Sequence, residues 1–355
     1  MPDLPHERIT IIGSGPAAWT AAIYAARADL KPLVFPGRAS GKDLMPGGQL
    51  MLTTDVENYP GFPNGVTGQE MMHQFFEQAM RFGTRVVTDD GIKDIEALGS
   101  ASLFQQFQNV ERAELSGGSP FTLHGDGGFT CTSDTVVIST GAKANWLGLD
   151  NELRLAQCGG GVSACAVCDG ALPMFRDQHL GVVGGGDTAI EEATHLSKFA
   201  SKVTMFVRRG EMRASRIMQQ RAENDPKIEI AYHTEVTDVL GDEKITGVEL
   251  KHNNTGETSE LELRGLFLAI GHTPITGFLD GQLDLDETGY IKLADPYRST
   301  TNIAGVFAAG DVADHVYRQA ITAAGMGCKA AIDAERWLAE HTEVEAPVTA
   351  EAHWH

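Results

Sequence analysis

Two cysteines two residues apart, Cys165 and Cys168, followed at once by Asp169, lie in the stretch G-V-S-A-C-A-V-C-D-G from Gly161 to Gly170. This grouping suits a dithiol that opens and closes as a disulfide, with an acid beside it to exchange a proton. The same spacing also serves as half of a structural zinc site. A zinc ribbon needs a second pair, and Cys131, Cys158 and Cys328 each stand singly. No metal is therefore expected, and the redox reading leads. Asp169 keeps a second reading as a turn-forming or helix-capping residue. A redox pair requires an electron source elsewhere in the chain.

The elements that would position such a source recur twice. Arg8 to Ile12 is a β-branched run entering Gly13-Ser14-Gly15-Pro16-Ala17-Ala18, and an Ala-rich helix is predicted from Trp19 to Ala28. In G-x-G-x-x-A the glycines let the backbone turn tightly against a pyrophosphate and aim a helix N-terminus at its charge. His179 to Val183 then enters Gly184-Gly185-Gly186-Asp187-Thr188-Ala189, with a helix predicted from Ile190 to Phe199. Two fingerprints imply two dinucleotides and an electron-transfer enzyme rather than a binding module.

The strands that follow the two turns differ in their ends. The first, Pro32 to Phe35, runs into Pro36 and Gly37 with no acid for a ribose, so that contact is absent or made differently. The second, Lys202 to Val207, ends in Arg208 and Arg209, with Arg213 close behind. Guanidinium groups at that place suit a 2′-phosphate, so NADPH is preferred to NADH. Ordinary surface charge is the other reading of these arginines. Glu191 and Glu192, early in the second helix, are explained by a solvated face or by the helix dipole.

Between these landmarks, Pro46 to Pro63 is rich in Gly, Pro and amides, which fits exposed turns or the lining of a flat polar ligand. Met71 to Phe82 reads as a core-packing helix. Gly99 to Gly128 reads as a hairpin or surface loops, and Asp134 to Thr140 as a buried strand. Val236 to Leu263 alternates as antiparallel strands turning at Gly241-Asp242 and Asn253-Asn254, and Leu266 to Ile270 is again a buried strand. Gly305 to Asp311 delivers an acid to a strand's C-terminal end, where open α/β sheets bind ligands. Tyr317 opens a helix to about Leu338 that contains Cys328, read as a small buried hydrophobe. The tail from 341 to 355, with His353 and His355, reads as disordered.

Composition narrows the partners. The chain has 355 residues, 42% hydrophobic and 21% charged, which suits two globular domains. A net charge of −20 disfavours nucleic acid and anionic membranes. The N-terminus, M-P-D-L-P-H-E-R, carries no leader pattern, no run is long enough to span a membrane, and five cysteines do not make a secreted disulfide framework. A cytoplasmic protein is expected.

From Ile9 to about Leu338 the chain resembles the low-molecular-weight, NADPH-dependent thioredoxin reductases, class II pyridine nucleotide-disulfide oxidoreductases. The motifs that carry this resemblance are G-S-G-P-A, G-G-Q-L, E-N-Y-P-G-F, S-A-C-A-V-C-D-G, G-G-G-D-T-A-I-E-E-A, R-R-G-E-M-R, A-I-G-H-T-P, G-V-F-A-A-G-D-V and Y-R-Q-A-I. Two departures are a Val207 where the family commonly has His, and a longer loop from Pro36 to Met45. The resemblance implies an α/β fold of two Rossmann-like dinucleotide-binding domains, the second inserted into the first. The FAD domain would comprise residues 1–144 and 273–340, and the NADPH domain with the dithiol residues 145–272. FAD would contact Gly13, Ser14, Gly15, Pro16, Ala17, Gly48, Gln49, Asn58, Asp311, Arg318, Gln319 and Ala320. NADPH would contact Gly186, Asp187, Thr188, Arg208, Arg209 and Arg213.

The family's chemistry then assigns the roles. Cys168 would face the flavin, Cys165 would attack the disulfide of thioredoxin, and Asp169 would be the acid. Family members are homodimers in which one domain rotates against the other, here about linkers near Ala142 to Trp146 and Gly271 to Thr276. A dithiol oxidase of the same fold is the rival within oxidoreductases, and the arginines with the intact second fingerprint count against it. A zinc-stabilised nucleotide-binding module is the rival outside them.

Overall fold

The computed structural model describes residues 4–40, 45–98 and 107–341. Part of the long 36–45 loop, part of the Gly99 to Gly128 stretch and the tail after His341 lie outside the described residues.

Apolar β-branched runs form the middle of two sheets because strands flanked on both sides by parallel partners are covered on both faces. In the first sheet His6–Ile12 pairs in parallel with Leu33–Phe35 and with Thr130–Ile138, and Ile9, Ile11 and Ile12 are buried. Arg85–Thr88 extends this sheet beyond Leu33–Phe35, the hairpin Val110–Glu114 with Phe121–Gly125 closes the other side, and Val306–Ala308 pairs with the end of Thr130–Ile138. The second sheet orders Val162–Ser163, Gly265–Leu268, His179–Val183, Lys202–Val207 and Ile228–Tyr232, all parallel. Thr234–Gly241, Ile245–His252 and Thr258–Glu262 add the antiparallel layer that their alternation predicts.

The two glycine fingerprints repeat one geometry. Gly13 has φ +127°, and a Cβ there would sit 2.2 Å from the Ser139 carbonyl oxygen; Gly184 has φ +144°, and a Cβ would sit 2.5 Å from that of Ala269. In each sheet a strand from later in the chain passes behind the turn, and only glycine allows that approach. The helix after the first turn, Pro16–Arg27, begins with proline and buries Trp19 edge-on against Phe76, centroids 5.2 Å apart. Its other face lies on the long helix Ala320–His341 so closely that a Cβ on Gly327 would be 2.1 Å from the Ala17 oxygen.

The chain crosses between the sheets twice, and the crossings pair with each other. Ala142–Ala144 and His272–Pro274 form a two-stranded antiparallel ladder with Ala144 opposite His272. Asn145 secures its end, donating its backbone N–H to Gly271 at 3.0 Å and accepting from the Thr273 hydroxyl at 2.8 Å.

Several elements differ from their sequence reading. The helix after the second turn runs Asp187–Leu196, starting at the turn itself. The last helix begins at Ala320 instead of Tyr317, because Arg318 adopts a left-handed φ of 48° that no helix accommodates. Cys328 is half-buried, with its thiol beside the Tyr24 hydroxyl, and not a sealed apolar residue.

Candidate active site

Cys165 and Cys168 are joined as a disulfide with Cα atoms 5.3 Å apart. Sulfurs bonded to each other offer no thiolate to zinc, and among the described residues no group of three or more His, Cys, Asp or Glu side chains could hold a metal. The pair brackets a single helical turn, Ala166–Asp169. Cys165 is its extended N-cap, with the Cys168 N–H reaching Cys165 Sγ at 3.2 Å. Asp169 ends that turn, and Ser163 donates to its Oδ2 at 2.5 Å while accepting the Cys165 N–H at 3.0 Å. Burial pushes the Asp169 carboxyl up to about 6; the Ser163 hydrogen bond opposes the rise and the nearby charge of Asp55 adds to it. A carboxyl tuned to that range carries a proton close to neutral pH, as a general acid must.

The disulfide forms part of the wall of a cavity of about 790 Å³ between the two sheets. The first glycine turn lines the same cavity, and so does every residue that the resemblance assigns to FAD, from Gly13 to Ala17, Gly48, Gln49 and Asn58 to Asp311, Arg318, Gln319 and Ala320. Ser14 braces the turn, donating to Pro36 at 2.6 Å and accepting from the Gly47 N–H at 2.8 Å. Gln49 Oε1 accepts the Ala144 N–H of the crossing ladder at 3.4 Å. Asp311 Oδ1 is sealed from solvent with no partner, and burial lifts this carboxyl to about 7, with the charge of Asp314 adding and Arg318 opposing. Such an oxygen lacks donors, which the hydroxyls of a sugar-alcohol chain would supply. Glycine cradle, helix N-terminus and orphaned carboxylate together fit a dinucleotide of FAD's kind.

The residues assigned to NADPH stand apart. Thr188 reaches the cavity wall, but Gly186, Asp187, Arg208, Arg209 and Arg213 do not. The arginines belong to one exposed loop folded back on the second turn, where the Arg213 and Ala214 N–H groups donate to Gly185 at 2.7 and 3.1 Å. Among the described residues none of the three forms an ion pair, so their guanidinium groups are available to an anion. Asp187 Oδ1 accepts both the N–H and the hydroxyl of Ser215, which hold its carboxyl below the usual range. Val207, where the resembled family has His, is buried, and a Cβ on Gly185 would meet it at 3.1 Å.

Four residues of the site escape the sequence reading. Ser163 stands inside the quoted S-A-C-A-V-C-D-G motif, but its spacing does not reveal that its hydroxyl meets Asp169 across the turn. Arg38 lines the cavity just after the strand that lacks an acid, held by Asp89 at 2.6 Å and Asp126 at 2.9 Å. His272, at the second crossing, has a buried Nδ1 without a partner, and burial together with the charge of Arg318 lowers it to about 4. Glu192 is not a solvated residue of the helix face: its Oε2 is sealed without a partner, and burial raises the carboxyl to about 7 against the pull of Arg318 and the Ala166 N–H. Glu191, beside it, is exposed as expected.

Comparison with known proteins extends this picture. Residues 7–327 match the model of the pyridine nucleotide-disulphide oxidoreductases. A thioredoxin reductase of Eremothecium gossypii is 48% identical over 337 residues, covering 94% of this chain and 99% of that protein. Among solved structures, the thioredoxin reductase of Streptococcus pyogenes superposes with a TM-score of 0.81 at 34% identity over 94% of this chain and 99% of that one. The thioredoxin reductase of Lactococcus lactis in its FR conformation has the same identity and coverage but a TM-score of only 0.57.

Proposed function

Because this chain belongs to the pyridine nucleotide-disulphide oxidoreductases, matched over nearly its whole length, we propose that it is an NADPH-dependent thioredoxin reductase working through FAD and the Cys165–Cys168 disulfide. The observation that carries this reading is the placement of that disulfide in the wall of the cavity lined by the first glycine turn. When bound there, FAD would supply two-electron exchange between a nicotinamide and a disulfide.

The chain's own residues do the rest. The first glycine turn would hold the pyrophosphate, Asp311 would accept from the sugar-alcohol hydroxyls, and Gly48, Gln49 and Asn58 would hold the ring system. Arg208, Arg209 and Arg213 would hold the 2′-phosphate of NADPH, and Gly186, Asp187 and Thr188 the rest of that dinucleotide. Cys168 would be the sulfur that takes electrons from the flavin, Asp169 gives a proton to a departing sulfur, and Cys165 attacks the disulfide of thioredoxin.

In this arrangement the arginine loop lies off the cavity, so a nicotinamide held by it would not reach a flavin beside the disulfide. Rotation of residues 145–272, the NADPH-binding domain, against residues 1–144 and 273–340, the FAD-binding domain, exchanges the two. Supporting it are the TM-scores of 0.81 and 0.57 at equal identity, as expected where one architecture adopts two relative placements of its halves. The enzyme is read as a homodimer, as in the family it resembles, and, from its N-terminal sequence, as cytoplasmic; no helix among the described residues is long and apolar enough to cross a membrane.

The test is anaerobic addition of NADPH to the purified protein. Flavin absorbance should bleach rapidly and recover on addition of oxidised thioredoxin. A protein with no flavin spectrum, or a flavin that NADPH leaves oxidised, sinks the reading.

A further inference from the structure

The side chain of Gln319 reaches across the cavity to both sulfurs. Its Nε2 lies 3.9 Å from Cys165 Sγ and 3.9 Å from Cys168 Sγ, and its Oε1 is 4.0 Å from Cys168 Sγ. With the disulfide closed there is no S–H, so only the amide N–H can donate in this group. Asn58 Nδ2 donates to Gln319 Oε1 at 3.5 Å, and the Tyr317 and Arg318 carbonyls accept from Nε2 at 3.3 and 3.2 Å. These partners fix which end of the amide is which. The backbone is fixed too: Gln319 precedes the helix Ala320–His341, its N–H meeting the Thr322 hydroxyl at 3.3 Å, after the left-handed turn at Arg318. Gln319 thus belongs to the half that carries the first sheet, and the sulfurs to the other.

We propose that Gln319 is a catalytic residue of the disulfide step, its amide N–H donating to the sulfur that becomes negative when the S–S bond opens. The inference rests on the flavin reading given above. Opening consumes two electrons, which the reduced flavin would supply with release of its own proton to solvent, and one proton, supplied by Asp169. The S–S bond breaks, one sulfur becomes a thiol, the other a thiolate, and Asp169 is left as a carboxylate. A disulfide sulfur is a weak acceptor and a thiolate a strong one, so the same N–H binds the product of bond opening more tightly than the starting pair. Rotation then withdraws the donor, since Gln319 stays with the other half. The thiolate loses its hydrogen bond, which leaves it more basic and able to take the proton from Cys165, the sulfur that attacks thioredoxin.

The test uses the flavin-loaded enzyme taken anaerobically to the two-electron-reduced level, where electrons divide between flavin and disulfide and the flavin spectrum reports the division. Gln319→Leu keeps the bulk without the donor, and should move the division roughly tenfold towards reduced flavin, the value of one hydrogen bond to a charged group. Gln319→Glu keeps the shape and places an anionic acceptor there, and should move it further in the same direction. A division within about twofold of wild type in both variants overturns the proposal. Loss of flavin from both also overturns it, by making Gln319 a group that holds the flavin. Wild-type protein without flavin, or with no division to measure, brings down the flavin reading itself and this inference with it.

Discussion

Ser163 Oγ stands 2.5 Å from Asp169 Oδ2 and receives the Cys165 N–H at 3.0 Å. One hydroxyl therefore couples the acid to the backbone of a redox cysteine, on opposite ends of a four-residue helix. Its hydrogen bond favours the charged carboxylate and moderates the rise that burial imposes on Asp169, leaving the group at about 6.

Replacing that acid should separate the two half-reactions. Asp169→Asn is expected to lower turnover by roughly 10²- to 10⁴-fold, the usual range for loss of a general acid, while NADPH reduces the flavin at the wild-type rate. Stopped-flow absorbance distinguishes the steps, and an equal loss in both would remove Asp169 from its role. Ser163→Ala should raise the Asp169 pKa, so the alkaline fall of the disulfide step moves to higher pH.

Cysteine replacement divides the cycle at another point. Cys168→Ser should leave hydride transfer from NADPH intact and abolish reoxidation of the flavin by the disulfide. Unimpaired turnover of thioredoxin by this variant is the result that would refute the assignment.

The arginine loop predicts a choice between nicotinamide cofactors. Arg208→Ala combined with Arg209→Ala should raise the KM for NADPH by roughly 10²-fold or more, since each charge-assisted contact contributes on the order of 1.5–3 kcal/mol, and should hardly change that for NADH. Equal changes for the two cofactors would count against contact with the 2′-phosphate.

Stability should depend on pH through the buried carboxyls. Asp169 at about 6, Asp311 at about 7 and Glu192 at about 7 all lie above their ordinary values, so the folded state binds their protons more tightly than the unfolded chain does. Their stabilisation is fully present below their unfolded pKa values and is lost as pH rises through 6 to 7. His272, lowered to about 4, acts in the other sense, stabilising above its ordinary value of 6.5 and less so as pH falls towards 4. The clean comparison is therefore variant against wild type. In urea unfolding of the flavin-free protein, Asp311→Asn should gain stability relative to wild type between pH 5 and pH 8; an unchanged difference would contradict the burial described.

Packing of the first turn's helix can be tested away from the chemistry. Gly327→Ala places a methyl 2.1 Å from the Ala17 oxygen, against backbone that cannot yield without moving the glycine turn. A loss of about 1–3 kcal/mol, as for overpacked cores, is expected in thermal unfolding, together with weaker flavin retention.

The chain announces what local pattern and motif can carry. The strand, glycine turn and helix units, the paired cysteines and the arginines after the second turn are all visible because each depends on neighbours within a few residues. What stays hidden depends on register between distant segments. His272 loses its solvent where the second crossing meets the cavity wall, and Glu192 because its helix packs beside the Ala166 turn. Nothing within a few residues of Gln319 shows that its amide meets two sulfurs more than a hundred positions earlier. Asp187 illustrates the reverse case, a motif residue whose carboxylate folding commits to Ser215.

The ladder formed by Ala142–Ala144 and His272–Pro274 has one more consequence. The chain departs from the first sheet and returns to it at points facing each other across a single strand spacing, about 5 Å. Everything between could be excised and the gap sealed by a tight turn, without disturbing the first sheet's register. The second sheet is thus carried on two segments that leave the first sheet and return to it side by side, and a chain shortened across that slit should still form the first sheet.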